Sequence, residues 1–169
     1  MTNELLILPA TDAHMPAMQA LYAWYVLNAT CSFEEVPPTV AEMQGRLDAL
    51  RREGLPWLVA LWGGQVVGYA YAGRYRARPA YNGTVENSIY VAREQRGQGV
   101  GRALLEALLA RCHEGRFQQM VAVVGDSANT GSIALHERAG FRRVGVLQDV
   151  GFKFGRHLDT VLMQRSLAP

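Results

Sequence analysis

Apolar and polar positions alternate along residues 85–91. Val85, Ile89 and Val91 fall on one side of an extended chain, and Glu86, Ser88 and Tyr90 on the other. The period then changes. Val100, Leu104, Leu105, Leu108 and Leu109 recur at helical spacing, so the pattern predicts a strand that passes through a glycine-rich turn into a helix ending near Gly115. Upstream, residues 5–8 read as a short strand closed by Pro9. Asp12 is a candidate N-cap for a helix with Met15, Met18, Leu21, Tyr22 and Tyr25 on one face, and Pro16 is tolerated in its first turn. Residues 28–38 have the character of a loop able to cover a site. Thr39 and Glu42 form a capping box for a helix bearing Val40, Met43, Leu47 and Leu50, and Gly54 suits its C′ position.

Between residues 57 and 73 only Gln65 is strongly polar. The run falls short of the roughly 20 residues that a membrane helix requires. Gly63 and Gly64 break it, so two antiparallel strands with a tight turn are predicted instead. Arg74, Arg76 and Arg78 alternate with Tyr75 and Ala77, and an extended backbone would place all three arginines on one face. Pro79 stops that strand, and Asn82-Gly83 favours a turn into the strand carrying Glu86. Residues 119–124 read as a strong strand, a helix follows from Asn129, and residues 141–147 and 160–167 read as closing strands. No repeat or linker interrupts the chain, so a single α/β domain over residues 1–169 is expected.

Composition narrows the partners. A chain of 169 residues that is 49% apolar suits one domain with a sizeable core. A net charge of +2 is too small to indicate nucleic acid. Cys31 and Cys112 lack metal-like spacing, so no metal site and free thiols in a reducing compartment are expected. Met1-Thr2-Asn3-Glu4 lacks the basic start of a signal peptide, which points to the cytoplasm, and the sequons at Asn28 and Asn82 then carry little weight.

The glycine turn carries the chemistry. Glycines at a helix mouth let backbone N–H groups approach a ligand, and the positive dipole end suits phosphate. The dinucleotide fingerprint fails because position 102 is Arg, and no Gly-Lys-Ser/Thr follows to make a P-loop. The remaining pattern, Arg96-x-x-Gly99-x-Gly101, resembles the acetyl-CoA pyrophosphate loop of the GNAT superfamily of N-acetyltransferases. The run Asn129-x-x-Ser132-x-x-Leu135-His136-x-x-x-Gly140-Phe141 is similar to that superfamily's second cofactor-contacting helix. Over nearly its whole length the chain resembles the phosphinothricin and methionine sulfoximine (methionine sulfone) acetyltransferase branch. Arg74-x-Arg76 with Tyr81, the segment from Glu86 to Val91, Leu135-His136, and Val150-Gly151-Phe152-Lys153-Phe154-Gly155 carry that match.

The resemblance implies a mixed, mostly antiparallel sheet with splayed central strands and helices on both faces, acetyl-CoA as cosubstrate, and a homodimer. It also implies a small amino-acid acceptor. Acetylating an amine requires a neutral nitrogen, so a base is needed. Glu86 is the leading candidate; the alternative is a glutamate paired with a nearby arginine. Backbone N–H groups near Ile89, Tyr90 and Val91 could stabilise the oxyanion if the strands splay there. Arg96, Gly97, Gln98, Gly99, Val100, Gly101 and Arg102 would hold the pyrophosphate. Asn129 and Ser132 would bond the pantetheine arm, although Asn129 also suits a plain N-cap. His136 stands where many of the superfamily carry a tyrosine acid, and is either that acid or structural. Arg74, Arg76 and Tyr81, with Glu86, Asn87 and Ser88, would form the acceptor site; the arginines could equally be charges guarding an edge strand. His157 replaces a tryptophan usual in relatives. Acetylation of a protein N-terminus or lysine, and non-catalytic acetyl-CoA sensing, are the rival functions.

Overall fold

The apolar run at residues 57–73 folds back on itself as strands β2 (Trp57–Trp62) and β3 (Gln65–Arg74). Gly63 and Gly64 make the turn at φ of 56° and 80°, a region that other residues enter only under strain. In the computed structural model, which describes residues 4–168, these strands belong to a seven-stranded sheet. Strand β1 (Leu5–Pro9) flanks β2. Strand β4 (Thr84–Val91) flanks β3, and β5 (Gln119–Gly125) follows it. The order from edge to edge is β1-β2-β3-β4-β5-β7-β6, where β6 spans Arg142–Lys153 and β7 spans Arg156–Ser166. Every neighbouring pair is antiparallel except β4 and β5. Those two are joined by helix α3 (Val100–Glu114), the crossover that a parallel pair needs.

The helices cover both faces. Val100, Leu104, Leu105 and Leu108 of α3 are fully buried against Val85, Met120, Ala122 and Met163, and Ile133 of helix α4 (Thr130–Arg138) joins the same cluster. On the other face, helices α1 (Met15–Asn28) and α2 (Val40–Arg52) pack Met15, Met18, Val26, Met43 and Leu47 against Trp57, Val59 and Tyr69. The capping box forms as expected: Glu42 N–H donates to Thr39 Oγ1 at 3.1 Å, and Thr39 N–H to Glu42 Oε2 at 2.6 Å.

Three expectations change. Asp12 does not cap α1. A short turn over Asp12–His14 precedes the helix, Thr11 N–H is accepted by His14 Nδ1 at 3.1 Å, and the Asp12 carboxylate instead accepts from Arg51 at 2.7 Å and Gln44 at 3.0 Å. The arginines at 74, 76 and 78 do not share a strand face. Strand β3 ends at Arg74, and the chain curls into a one-turn helix over Pro79–Tyr81, because Pro79 cannot continue the ladder. The closing strands run longer than the hydrophobic pattern shows. A register irregularity between Leu147 and Gly151, with Asp149 at φ 56°, breaks the alternation inside β6. The segment Met1 to Asn3 lies outside the described residues. Among the described residues, no helix is long and apolar enough to cross a membrane.

Candidate active site

Strands β4 and β5 pair only from Thr84 with Gln119 to Asn87 with Ala122. Beyond that point they part. Ser88 to Val91 remain laddered to β3, and Val123 to Gly125 to β7, so their facing edges present backbone groups without a partner strand. The wedge opens into a cleft of about 1770 Å³. That exceeds the roughly 300–1,000 Å³ of a drug-sized pocket and suits a long, extended ligand.

At one end of the cleft is the glycine turn. Gly97 and Gly99 adopt φ of 73° and 87°, and nothing lies within 4 Å of where a Cβ would be. No side chain caps α3, and Ala103 N–H to Gly99 O is the first amide bond of the helix (3.0 Å). Gln98 N–H turns back to Gln95 O at 3.4 Å, and the N–H groups of Gly99 to Arg102 are left to meet an anion. Arg96 is held in place rather than loose: its Nη2 donates to Tyr25 Oη at 2.9 Å, and Trp24 lies 5.6 Å beneath its guanidinium. Tyr25 Oη in turn donates to the Val91 carbonyl at 2.5 Å, tying α1 to the open end of β4. Arg102 is exposed and paired with Glu106 at 2.7 Å. The Gln98 side chain folds back onto Glu94 O, and Val100 is buried in the core, so both can contribute only backbone to the turn.

Helix α4 forms the opposite wall. Asn129 does cap it, accepting from Ser132 N–H at 3.3 Å, while Asn129, Ser132 and His136 all line the cleft. The His136 ring is almost fully buried, with Nδ1 2.7 Å from Ser132 O and Nε2 3.1 Å from the Asn87 amide. Burial pushes its pKa below the usual imidazole value, and the Ser132 carbonyl only partly offsets this.

Glu86 lines the cleft beside the last paired residue of β4 and is half-buried. Burial alone raises its carboxyl above the usual range, and among the described residues no cation is paired with it. The arginine-paired alternative is therefore not what the chain builds. Arg74 binds Glu53 and donates to Asn82 Oδ1 at 3.1 Å. Arg76 is exposed over the Tyr75 ring (5.2 Å), and Tyr81 meets the same ring edge-on at 5.7 Å. Tyr75 and Tyr81 border a separate, smaller groove of about 230 Å³. Within one chain, none of Arg74, Arg76 and Tyr81 lines the Glu86 cleft, whereas Asn87, Ser88, Ile89 and Tyr90 do. His157 packs against Phe152 at 5.1 Å on the closing hairpin.

The covering loop expected over residues 28–38 is present, but sequence reasoning missed which of its residues face the cleft and what holds them. The loop after α1 lines the cleft through Thr30, Cys31, Ser32, Phe33 and Glu34. It is anchored by Lys153 Nζ, which donates to Ala29 O (2.9 Å) and Ser32 O (2.7 Å), and by Phe33 pressed on Gly151, where a Cβ would come within 2.5 Å of the ring. Glu34 is ionised: burial opposes this, but Arg46 and Tyr22 outweigh it and hold the carboxyl below the usual range. A buried lysine between aromatics was the available signal. Both cysteines are unpaired.

A sequence profile of the "Acetyltransferase (GNAT) family" matches residues 18–141, which include Glu86, the glycine turn and α4. The chain belongs to the GNAT family. It is an N-acetyltransferase with the GNAT fold, and GNAT acetyltransferases use acetyl-CoA. The free amides of the glycine turn, the fixed Arg96 and the open wedge fit a pyrophosphate followed by an extended arm. The chain is 54% identical to a phosphinothricin N-acetyltransferase from Alcaligenes faecalis over 92% of its length and 79% of the relative's. It is 43% identical to an L-methionine sulfoximine/L-methionine sulfone acetyltransferase from Pseudomonas paraeruginosa, over 93% and 91%. A GNAT phosphinothricin acetyltransferase from Sinorhizobium meliloti, solved with acetyl-CoA, superposes with a TM-score of 0.94 at 44% identity, over 97% of this chain and 89% of that one.

Proposed function

We propose that this GNAT enzyme transfers the acetyl group of acetyl-CoA directly to the α-amino group of a small amino acid of the phosphinothricin, methionine sulfoximine or methionine sulfone type, with Glu86 as general base. The observation that carries the base assignment is Glu86 itself. It is an unpaired carboxylate, lifted in pKa by burial, at the point where β4 and β5 separate. A carboxyl raised in this way accepts a proton from an ammonium more readily than an exposed one. As the amine attacks the thioester carbon, negative charge grows on the carbonyl oxygen. Every second N–H group between Ser88 and Val91 points away from β3, and these are the donors available to it, each typically worth about 2.7–4 kcal/mol. Backbone N–H groups from Gly99 to Arg102, with Arg96, bind the pyrophosphate; Asn129 and Ser132 flank the arm.

The substrate class follows from the similarity to the phosphinothricin and methionine sulfoximine enzymes. Ser88 shares a strand face with Glu86 and borders the acceptor side. Arg76 and Tyr81 lie outside their own chain's cleft, so their role in binding the substrate acid requires a second copy to bring the turn of residues 75–81 across. The expected homodimer would do this. An exposed apolar stripe on β6, from Val144 through Val146 and Val150 to Phe152, continues from the groove bordered by Tyr81 and gives a second copy a surface to cover. Thiol release from acetyl-CoA, measured across free amino acids, polyamines and peptides, tests the reading. Methionine sulfone, methionine sulfoximine and phosphinothricin should give the highest kcat/KM; a preference for peptides or polyamines would overturn it.

A further inference from the structure

His136 and Asn87 meet where β4 and β5 part, and their hydrogen bonds limit what the imidazole can do. His136 Nδ1 lies 2.7 Å from the Ser132 carbonyl oxygen, which can only accept, so Nδ1 carries a proton. Nε2 faces the Asn87 side-chain amide, with Oδ1 at 3.1 Å, while Nδ2 is buried without a partner. Two proton arrangements fit these positions. In the first the ring is an imidazolium donating from Nε2 to Oδ1. In the second the ring is neutral and the amide is turned half a revolution about its Cβ–Cγ bond. Nδ2–H then donates to the Nε2 lone pair, and Oδ1 takes the unpartnered place.

The surroundings favour the second. The ring is 3% exposed, with the Phe141 ring edge-on at 5.0 Å. Its polar neighbours on α4 and β4 are both neutral. The adjacent Glu137 is turned away to Arg143 at 2.8 Å, and Glu86 belongs to the opposite face of β4. A cation in that place would be desolvated without a counter-charge.

We propose that His136 is a positioning residue whose neutral ring turns the Asn87 amide so that Oδ1 accepts a hydrogen bond from an amide N–H of the pantetheine arm. This rests on the acetyl-CoA reading above and replaces the acid role that the resemblance gives His136. With Nδ1–H held by Ser132 and Nε2 by Asn87, neither nitrogen has a proton to give. When the amine nitrogen bonds to the thioester carbon, its proton passes to Glu86. The C–S bond breaks, and its electron pair leaves on sulfur. A thiol with an ordinary pKa of about 8.5 departs as thiolate without an acid.

Nitrogen–proton correlation NMR of the His136 ring in the wild-type protein tests this without any variant. The ring should be predominantly neutral, with its proton on Nδ1, from about pH 6.5, the ordinary imidazole value, to pH 8. Asn87→Ala and His136→Phe should each raise the Kd and KM for acetyl-CoA about tenfold, as expected for one lost hydrogen bond at a buried group. The double substitution should be no worse than either alone. His136→Gln, which keeps an acceptor for Nδ2–H, should recover most of the affinity, and its kcat–pH profile should keep the wild-type shape. A ring that gains a proton on Nε2 within that range overturns the proposal. So does a limb of the kcat profile that vanishes in His136→Gln while KM for acetyl-CoA holds. The acceptor's identity affects none of these readouts. Failure of the acetyl-transfer reading would show separately, as wild-type protein releasing no thiol with any amine.

Discussion

Glu86 combines two demands that pull in opposite directions. Burial makes its carboxyl a better base, and the same burial makes its ionised form costly in the folded protein. A carboxyl whose folded pKa is raised contributes stability below its unfolded value, and that contribution is lost as pH rises through the folded pKa. Glu86→Gln removes the buried charge, so its Tm should exceed that of wild type at pH 7. The difference should vanish below about pH 4, where the unfolded carboxyl is itself protonated. An equal or lower Tm at pH 7 would contradict burial of the ionised group. The polar side of the β4 alternation made Glu86 legible in the sequence. Tyr25 was not legible as a site residue, because a tyrosine on an amphipathic face looks like core until its hydroxyl is seen to meet Val91, 66 positions away. Lys153 was hidden for the same reason, since its partners Ala29 and Ser32 lie on a loop more than a hundred residues upstream.

At the scale of elements, the glycine turn and the order of strand, turn and helix were plain from the change of hydrophobic period. The wedge was not. β5 stays laddered to β7 along its whole length while its β4-facing edge is left open beyond Ala122, and no local pattern records where that pairing stops. The arginine stretch misled for a related reason: alternation predicts one face only while the chain stays extended, and Pro79 ends that at once. Gly99→Asp tests the turn. It forces a side chain into a backbone at φ 87° and puts a carboxylate at the positive end of α3. Charge at a helix end is worth up to about 2 kcal/mol, so the Kd for acetyl-CoA should rise at least about tenfold in calorimetry while circular dichroism stays unchanged. An unchanged Kd would remove the turn from cosubstrate binding.

In the whole molecule, the most exposed apolar side chains include Val150 at 58% and Phe152 at 60%, both on the closing hairpin. A surface of this kind asks for a partner. If a second copy covers it and delivers Arg76, Arg76→Ala should raise KM for methionine sulfone several-fold more than KM for acetyl-CoA, with the dimer intact in sedimentation. Equal KM values for the small acid would take Arg76 out of the site. Acetyl transfer in the wedge with Glu86 as base is tested by kcat of wild type and Glu86→Gln over a pH series, with methionine sulfone and saturating acetyl-CoA. General-base catalysis is worth about 10²–10⁴-fold, so kcat of the variant should fall by that factor at pH 7 and recover partly at alkaline pH, where more of the amine is already neutral. A Glu86→Gln enzyme with near-normal kcat at pH 7 would contradict the account.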